Sequence, residues 1–159
     1  MAPVMLLAAC GLQPMYAGGG SGAVAQGLAA VDVPAIEGKA GWVMRNALKE
    51  RLGSDNLSSG AARYRLDVRL DDRVESLGLL SDDTIGRERR TLRARYQLVD
   101  QTNGTILLDA TAGSDAGIDV VGSEYATIAA ENTALENLAR EVADQIVTKL
   151  ALQIRTASR

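Results

Sequence analysis

Two stretches of the chain alternate apolar and polar positions residue by residue. In the first, Tyr64, Leu66, Val68 and Leu70 alternate with Arg63, Arg65, Asp67 and Arg69. In the second, Leu92, Ala94, Tyr96 and Leu98 alternate with Thr91, Arg93, Arg95 and Gln97. Successive side chains of a strand point to opposite faces, so each stretch predicts a strand with one buried and one wet face. Their connection, roughly Gly78 to Gly86, carries Leu79, Leu80, Asp82, Asp83 and Ile85. Asn103-Gly104 predicts a tight turn into a third strand, Thr105 to Thr111, because Asn and Gly tolerate the positive φ such turns demand.

A different period governs the rest. From Lys39 to Leu52 the apolar residues Ala40, Val43, Met44, Ala47, Leu48 and Leu52 share one helical face, and Gly53 ends the helix. Arg45, Asn46 and Lys49 fall opposite. Trp42, the only tryptophan, falls with them, either as a partner contact or folded over a neighbouring loop. A long helix is predicted from Glu124 to Ile154, with Ser123 as its N-cap and a stripe of Tyr125, Ile128, Leu135, Leu138, Val142, Ile146 and Leu150. Val31-Asp32-Val33 reads as a short first strand stopped by Pro34, which has no N–H for a sheet ladder. The order strand, helix, three strands, helix predicts an α+β two-layer sandwich. Two helices cover one face of a roughly four-stranded, mixed but mostly antiparallel sheet, with the first strand inserted beside a later one. Residues 28–159 form this single domain.

Composition narrows the chemistry. The 159 residues carry a formal net charge of -3, which argues against a general nucleic-acid binder. Histidine is absent and Cys10 is the only cysteine, which removes most zinc sites, the Ser-His-Asp triad and the Cys-His dyad. The pairs Asp71-Asp72 and Asp82-Asp83 are of a kind that binds metal or serves acid–base catalysis. Both are expected in turns, where solvated Asp is ordinary. The run Gly18–Gly22 precedes the folded region and opens no helix after a strand, so it does not meet the context of a phosphate loop. The expectation is a protein that is not an enzyme, with no cofactor and no metal.

Arginine is heavily favoured over lysine, 14 to 3, and nine of the arginines lie between Arg63 and Arg95. Arg63, Arg65, Arg69, Arg93 and Arg95 are expected on the wet face of the two strands, with Arg87, Arg89 and Arg90 near the connection. Guanidinium groups bind phosphate in bidentate fashion better than ammonium groups do, so the strip is a candidate dock for a phosphorylated head group. Seven acids share the segment (Asp67, Asp71, Asp72, Glu75, Asp82, Asp83 and Glu88), and cross-strand ion pairs are the competing use of the charge.

The amino-terminal end is distinct. Leu6-Leu7-Ala8-Ala9-Cys10 ends a short apolar run and resembles a bacterial lipobox, in which the cysteine sulfur is acylated and a peptidase cuts before it. On that reading residues 1–9 are a signal-peptide remnant, and Cys10 is the lipidation site of a membrane anchor with several acyl chains. Residues 10–27, with Gly18-Gly19-Gly20-Ser21-Gly22, then read as a flexible tether.

Several segments, taken in order, resemble a known family. Cys10-Gly11-Leu12-Gln13-Pro14-Met15-Tyr16 is similar to the mature start of alphaproteobacterial lipopolysaccharide-assembly lipoproteins, the LptE family. Arg45-Asn46-Ala47-Leu48 resembles that family's first helix. Arg93-Ala94-Arg95-Tyr96-Gln97-Leu98-Val99-Asp100, followed by Thr102 and Gly104, resembles its central hairpin. Tyr125-Ala126-Thr127-Ile128-Ala129-Ala130-Glu131 resembles the opening of its last helix. The resemblance implies a lipid-anchored protein on the periplasmic side of the outer membrane. It implies that the protein plugs and helps assemble an LptD-type β-barrel within the barrel lumen. It further implies assistance in inserting lipopolysaccharide, with direct lipopolysaccharide binding also attributed to the family. Under it, Arg63, Arg65, Arg69, Arg89, Arg93 and Arg95 are candidate lipopolysaccharide-binding residues. Trp42, Leu79, Leu80 and Ile85 are candidate contacts to the barrel. The alternative is an accessory lipoprotein of another envelope complex, such as a lipid-transporting ABC system.

Overall fold

The computed structural model describes residues 22–53, 62–77, 86–120 and 122–157. The expected lipobox with Cys10, most of the tether, and Leu79, Leu80, Asp82, Asp83 and Ile85 lie outside the described residues. In chain order the elements are α1 (Ala23–Ala29), β1 (Val31–Asp32), α2 (Gly38–Leu52), β2 (Tyr64–Ser76), β3 (Arg87–Asp100), β4 (Ile106–Asp119) and α3 (Glu124–Ala157).

The four strands form one sheet in the order β1-β2-β3-β4. β1 runs parallel to β2, Val31 opposite Tyr64, whereas β2–β3 and β3–β4 are antiparallel. The mixed sheet and the inserted first strand are as the sequence predicts. Even-numbered residues of β2 and β3 face the helices, and Tyr64, Leu66, Leu92, Ala94, Tyr96 and Leu98 are buried there. They join Met44 and Leu48 of α2 and Leu135, Leu138, Val142, Ile146 and Leu150 of α3 in one cluster. Gly53 ends α2 at φ 67, a left-handed conformation that glycine adopts without a Cβ clash, and donates its N–H to the Lys49 carbonyl.

Four expectations change. First, α1 occupies residues expected at the end of the tether. Its seven residues are too few to hold a helix alone, and Gly27 and Leu28 show what holds it. Leu28 is buried, and a Cβ on Gly27 would lie 2.6 Å from the Ile154 side chain, so α1 lies tight against the end of α3. Second, β4 continues eight residues past Thr111, because Ala112, Ser114, Ala116 and Ile118 keep the period of two. Third, the expected turn at Asn103-Gly104 is present but forms the second half of a longer reversal through residues 101–104. Asp100 donates its N–H to the Thr105 carbonyl, Gly104 sits at φ 71, and the Asp100 and Asn103 carboxyl and amide oxygens accept the N–H groups of Thr102 and Thr105. The register then shifts between Leu98 and Val99, a bulge at the start of β4. Fourth, Tyr125 and Ile128, expected on the buried stripe of α3, are 84% and 47% exposed.

The fourth change has a local cause. Burial on α3 begins at Ala134, where the helix meets the apolar half of the sheet. Before that point the inner face of the strands mixes apolar and charged side chains. Arg90 and Asp72 face inward there and form an ion pair at 2.6 Å, their side chains 11% and 21% exposed, and Arg90 also donates to the Glu131 carbonyl. This pair ties the helix to the sheet at Glu131, and Tyr125 and Ile128 before that point stay exposed. Arg90 thus does not join the wet strip.

Candidate functional site

The helix-free face of the sheet is the candidate site. Its odd-numbered positions carry Arg65, Arg69 and Arg73 on β2, and Arg87, Arg89, Arg93 and Arg95 on β3. The strand register sets Arg69 beside Arg95, Asp71 beside Arg93, and Glu75 beside Arg89. On β4 the same face carries Asp109, Asp115 and Asp119, three carboxylates that fell beyond or outside the segment judged by sequence. Their signal was there: Asp109, Thr111, Gly113, Asp115, Gly117 and Asp119 stand at every second residue.

Most of the guanidinium groups are paired. Arg65 binds Asp67 at 2.9 Å, Arg73 binds Asp71 at 2.9 Å, Arg87 binds Asp119 at 3.1 Å and Arg95 binds Asp109 at 3.1 Å. Arg89 approaches Asp115 only to 3.8 Å. Arg63 lies over the Tyr64 ring, 5.1 Å from its centre. Arg69 and Arg93 make no ion pair or hydrogen bond among the described residues. Of the six candidate arginines, these two have neither an ion pair nor a ring contact among the described residues, and both border the same shallow depression of about 540 Å³ together with Arg95 and Thr111. A neighbouring depression of about 480 Å³ sets Arg69 and Arg95 beside Pro34, Ile36 and Val68. Gly113 stands opposite Arg93, where an added Cβ would lie 3.2 Å from the Arg93 Cγ. Glycine there leaves the Arg93 stem unobstructed.

Asp71 and Asp72, expected in a turn, lie in mid-strand. Adjacent strand residues point to opposite faces, so Asp71 meets Arg73 on the wet face while Asp72 meets Arg90 inside. The two carboxylates cannot act on one group. Among the described residues no cluster of three or more acidic, Cys or His side chains is placed to hold a metal ion.

Two carboxylates, Asp109 and Asp100, have shifted acidities. Hydrogen bonds from Arg95, and then Gln97, hold Asp109 below the usual carboxylate range. The Thr102 backbone and side chain do the same for Asp100 in the hairpin loop. Burial pushes the Tyr96 phenol up. A carboxylate whose folded pKa is depressed contributes stability above its unfolded pKa and loses it as pH falls through the folded value. Acid titration of the native chain is therefore expected to show weakening that extends below the ordinary Asp range. Asp109→Asn should flatten part of that limb in a series of urea unfolding curves, and an unchanged limb would show that Asp109 carries none of it.

The far end of the sandwich exposes four large apolar side chains among charged ones. Val74 and Leu77, where β2 ends, are 45% and 42% exposed, and Tyr125 and Ile128 are exposed at the start of α3. Leu77 leads directly into the segment holding the candidate contacts Leu79, Leu80 and Ile85. From Ile128 to Ile154, beside α1, the helix rises roughly 40 Å at about 1.5 Å per residue. The exposed apolar end and the end where the chain enters are thus far apart. Trp42 is 67% exposed on α2, as its place in the helical pattern predicts.

A family model described as LptE, Lipopolysaccharide-assembly, matches residues 28–150. The chain belongs to the LptE family. The matched residues include every arginine of the wet face and most of α3. No curated protein matches the chain. Among solved structures, the LptE-family chain is similar to a putative lipoprotein from Caulobacter crescentus CB15, at 24% identity and a TM-score of 0.70, over 83% of this chain and 96% of that one. A minor lipoprotein from Acinetobacter baumannii shares 16% identity at a TM-score of 0.57, over 77% of this chain and 88% of that one. The rare lipoprotein B from Shewanella oneidensis shares 12% identity at a TM-score of 0.58, over 81% and 97%. These likenesses establish a shared fold. Among the described residues of this LptE-family chain, no helix is long and apolar enough to cross a membrane.

Proposed function

We propose that this LptE-family chain is an outer-membrane lipoprotein, anchored through acyl chains on Cys10, that plugs and helps assemble an LptD-type β-barrel and assists insertion of lipopolysaccharide. Family membership supports the assembly role. The observation that carries the ligand-binding part is the pair of unneutralised guanidinium groups, Arg69 and Arg93, on a sheet face whose other arginines are mostly paired. Phosphate groups of a lipid A head group would take the bidentate forks that carboxylates occupy elsewhere on the face. Arg95 and Arg89 stand beside them and can exchange a carboxylate for a phosphate. The apolar end with Val74, Leu77, Tyr125 and Ile128, continued by Leu79, Leu80 and Ile85, is the surface proposed to seat against the barrel interior, with Trp42 as a second contact.

The ligand part is tested by lipopolysaccharide binding to the purified chain. A hydrogen bond to a charged group contributes about 1.5–3 kcal/mol, so reversing both Arg69 and Arg93 to Glu should weaken binding more than tenfold, with far-UV circular dichroism unchanged. Arg73→Glu, at a position already neutralised by Asp71, should have a smaller effect. Equal binding by the double variant and the native chain would reject this face as the site.

A further inference from the structure

β4 ends the sheet, and among the described residues no strand pairs with its outer side. Edge strands are usually protected by Lys, Pro or a bulge that twists the edge away. From Ala110 to Gly117 this edge has none of these: the residues are Ala, Thr, Ala, Gly, Ser, Asp, Ala and Gly, in regular register with β3. One side chain covers it at a single point. The Gln145 carboxamide of α3 accepts from the Gly113 N–H at 3.4 Å and donates to the Gly113 carbonyl at 3.3 Å. Accepting from and donating to one residue is what an antiparallel strand neighbour does in a hydrogen-bonded pair. Gln145 therefore stands in for a peptide group, with two long and replaceable bonds. The alternation of an antiparallel ladder then directs the backbone groups of Thr111, Asp115 and Gly117 to the same open side.

The surroundings state what a strand docked there would carry. On the helix side, a cleft of about 420 Å³ next to Gln145 is lined by Tyr96, Ala112, Thr148 and Leu152. Leu152 is 41% exposed beside it, and the buried Tyr96 hydroxyl has no hydrogen-bond partner. On the other side, β4 presents Asp109, Asp115 and Asp119; Arg95 and Arg87 of β3 hold the first and last, whereas Asp115 meets Arg89 only at 3.8 Å and is the carboxylate open to a further cation. A strand's side chains alternate between these two environments.

We propose that the edge of β4 around Gly113 is a docking site for an extended segment of a partner protein. The segment pairs antiparallel with β4, alternates apolar residues toward the Leu152 cleft with Lys or Arg toward the Asp row, and displaces the Gln145 side chain. This uses the opposite end of the sheet from the first strand and does not depend on lipopolysaccharide binding at Arg69 and Arg93.

The test uses the full chain and a fluorescent synthetic peptide of alternating Val and Lys, with a copy N-methylated at every second residue and a copy with the same composition in two blocks. The alternating peptide should bind and the two copies should not. Gln145→Ala removes the competing amide and should tighten binding about threefold or more, whereas a residue that merely supported the fold would weaken it. Hydrogen exchange at the Gly113 amide should slow in the complex. Arg69→Glu with Arg93→Glu, which adds negative charge to the depression that Gly113, Asp115 and Gln145 also line, should not weaken binding of the Lys-bearing peptide. Equal binding of the N-methylated copy, or no gain with Gln145→Ala, overturns the site. Dimerisation of Gln145→Ala without peptide would assign the edge to a second copy of this chain and overturn the partner proposed.

Discussion

Valine in place of Gly41 is expected to lower the urea midpoint of the chain sharply. Gly41 is buried in the first turn of α2, where the loop from β1 passes directly over it. A Cβ there would lie 2.6 Å from the Ile36 carbonyl carbon, closer still to its oxygen, and 2.9 Å from its Cγ2. The clash is with backbone, so no rotamer change relieves it. The loop has little freedom to retreat, because β1 is hydrogen-bonded to β2 and Arg45 donates to the Val33 carbonyl at 2.9 Å. Overpacking costs about 1–3 kcal/mol, and a clash with backbone falls at the upper end. Domains of this size hold roughly 5–15 kcal/mol in total, so the loss is a large share. Urea unfolding followed by circular dichroism measures it, with Gly41→Ala as the milder step. A valine variant with the native midpoint would show that the loop does not pack as described.

The second large effect is expected from Ile146→Ala. Ile146 is fully buried at the centre of α3, in the cluster that includes Met44, Leu48, Leu66 and Leu98. Truncating a buried Ile removes its transfer energy and leaves a cavity that the packed neighbours only partly fill, at a cost of about 3–4 kcal/mol. Leu152→Ala, two turns along the same helix but 41% exposed, should cost less than ~1 kcal/mol. The difference between two aliphatic truncations on one helix reports which face is buried. Equal costs would mean that α3 is rotated or not docked.

The sheet was legible because its signal is a strict period of two, and that signal is independent of what the strands pack against. The helices were legible for the same reason at their own period. What the pattern did not carry was the partner of each face. Tyr125 and Ile128 sit in phase with the buried stripe of α3, yet burial begins only at Ala134, past the point where Arg90 reaches Glu131, and burial depends on both sides. Helix α1 had no signal of its own, since seven residues rich in Ala and Gly become helical only against Ile154. The wet arginines were read correctly by phase. Which of them are neutralised was harder to read, because Asp115 and Asp119 lie past Thr111, where the strand was expected to stop, and Asp109 reaches Arg95 only through the β3–β4 register. Asp71 and Asp72 show the reverse case: adjacent in sequence, they are separated by the whole thickness of the sheet.

The most direct measurement is affinity capture of the tagged chain from detergent-solubilised outer membrane of its native cell, with the captured proteins identified by mass spectrometry. One large outer-membrane β-barrel in near-equal amount, accompanied by lipopolysaccharide, is the expected result. Capture of inner-membrane or soluble periplasmic components without such a barrel would contradict the assignment.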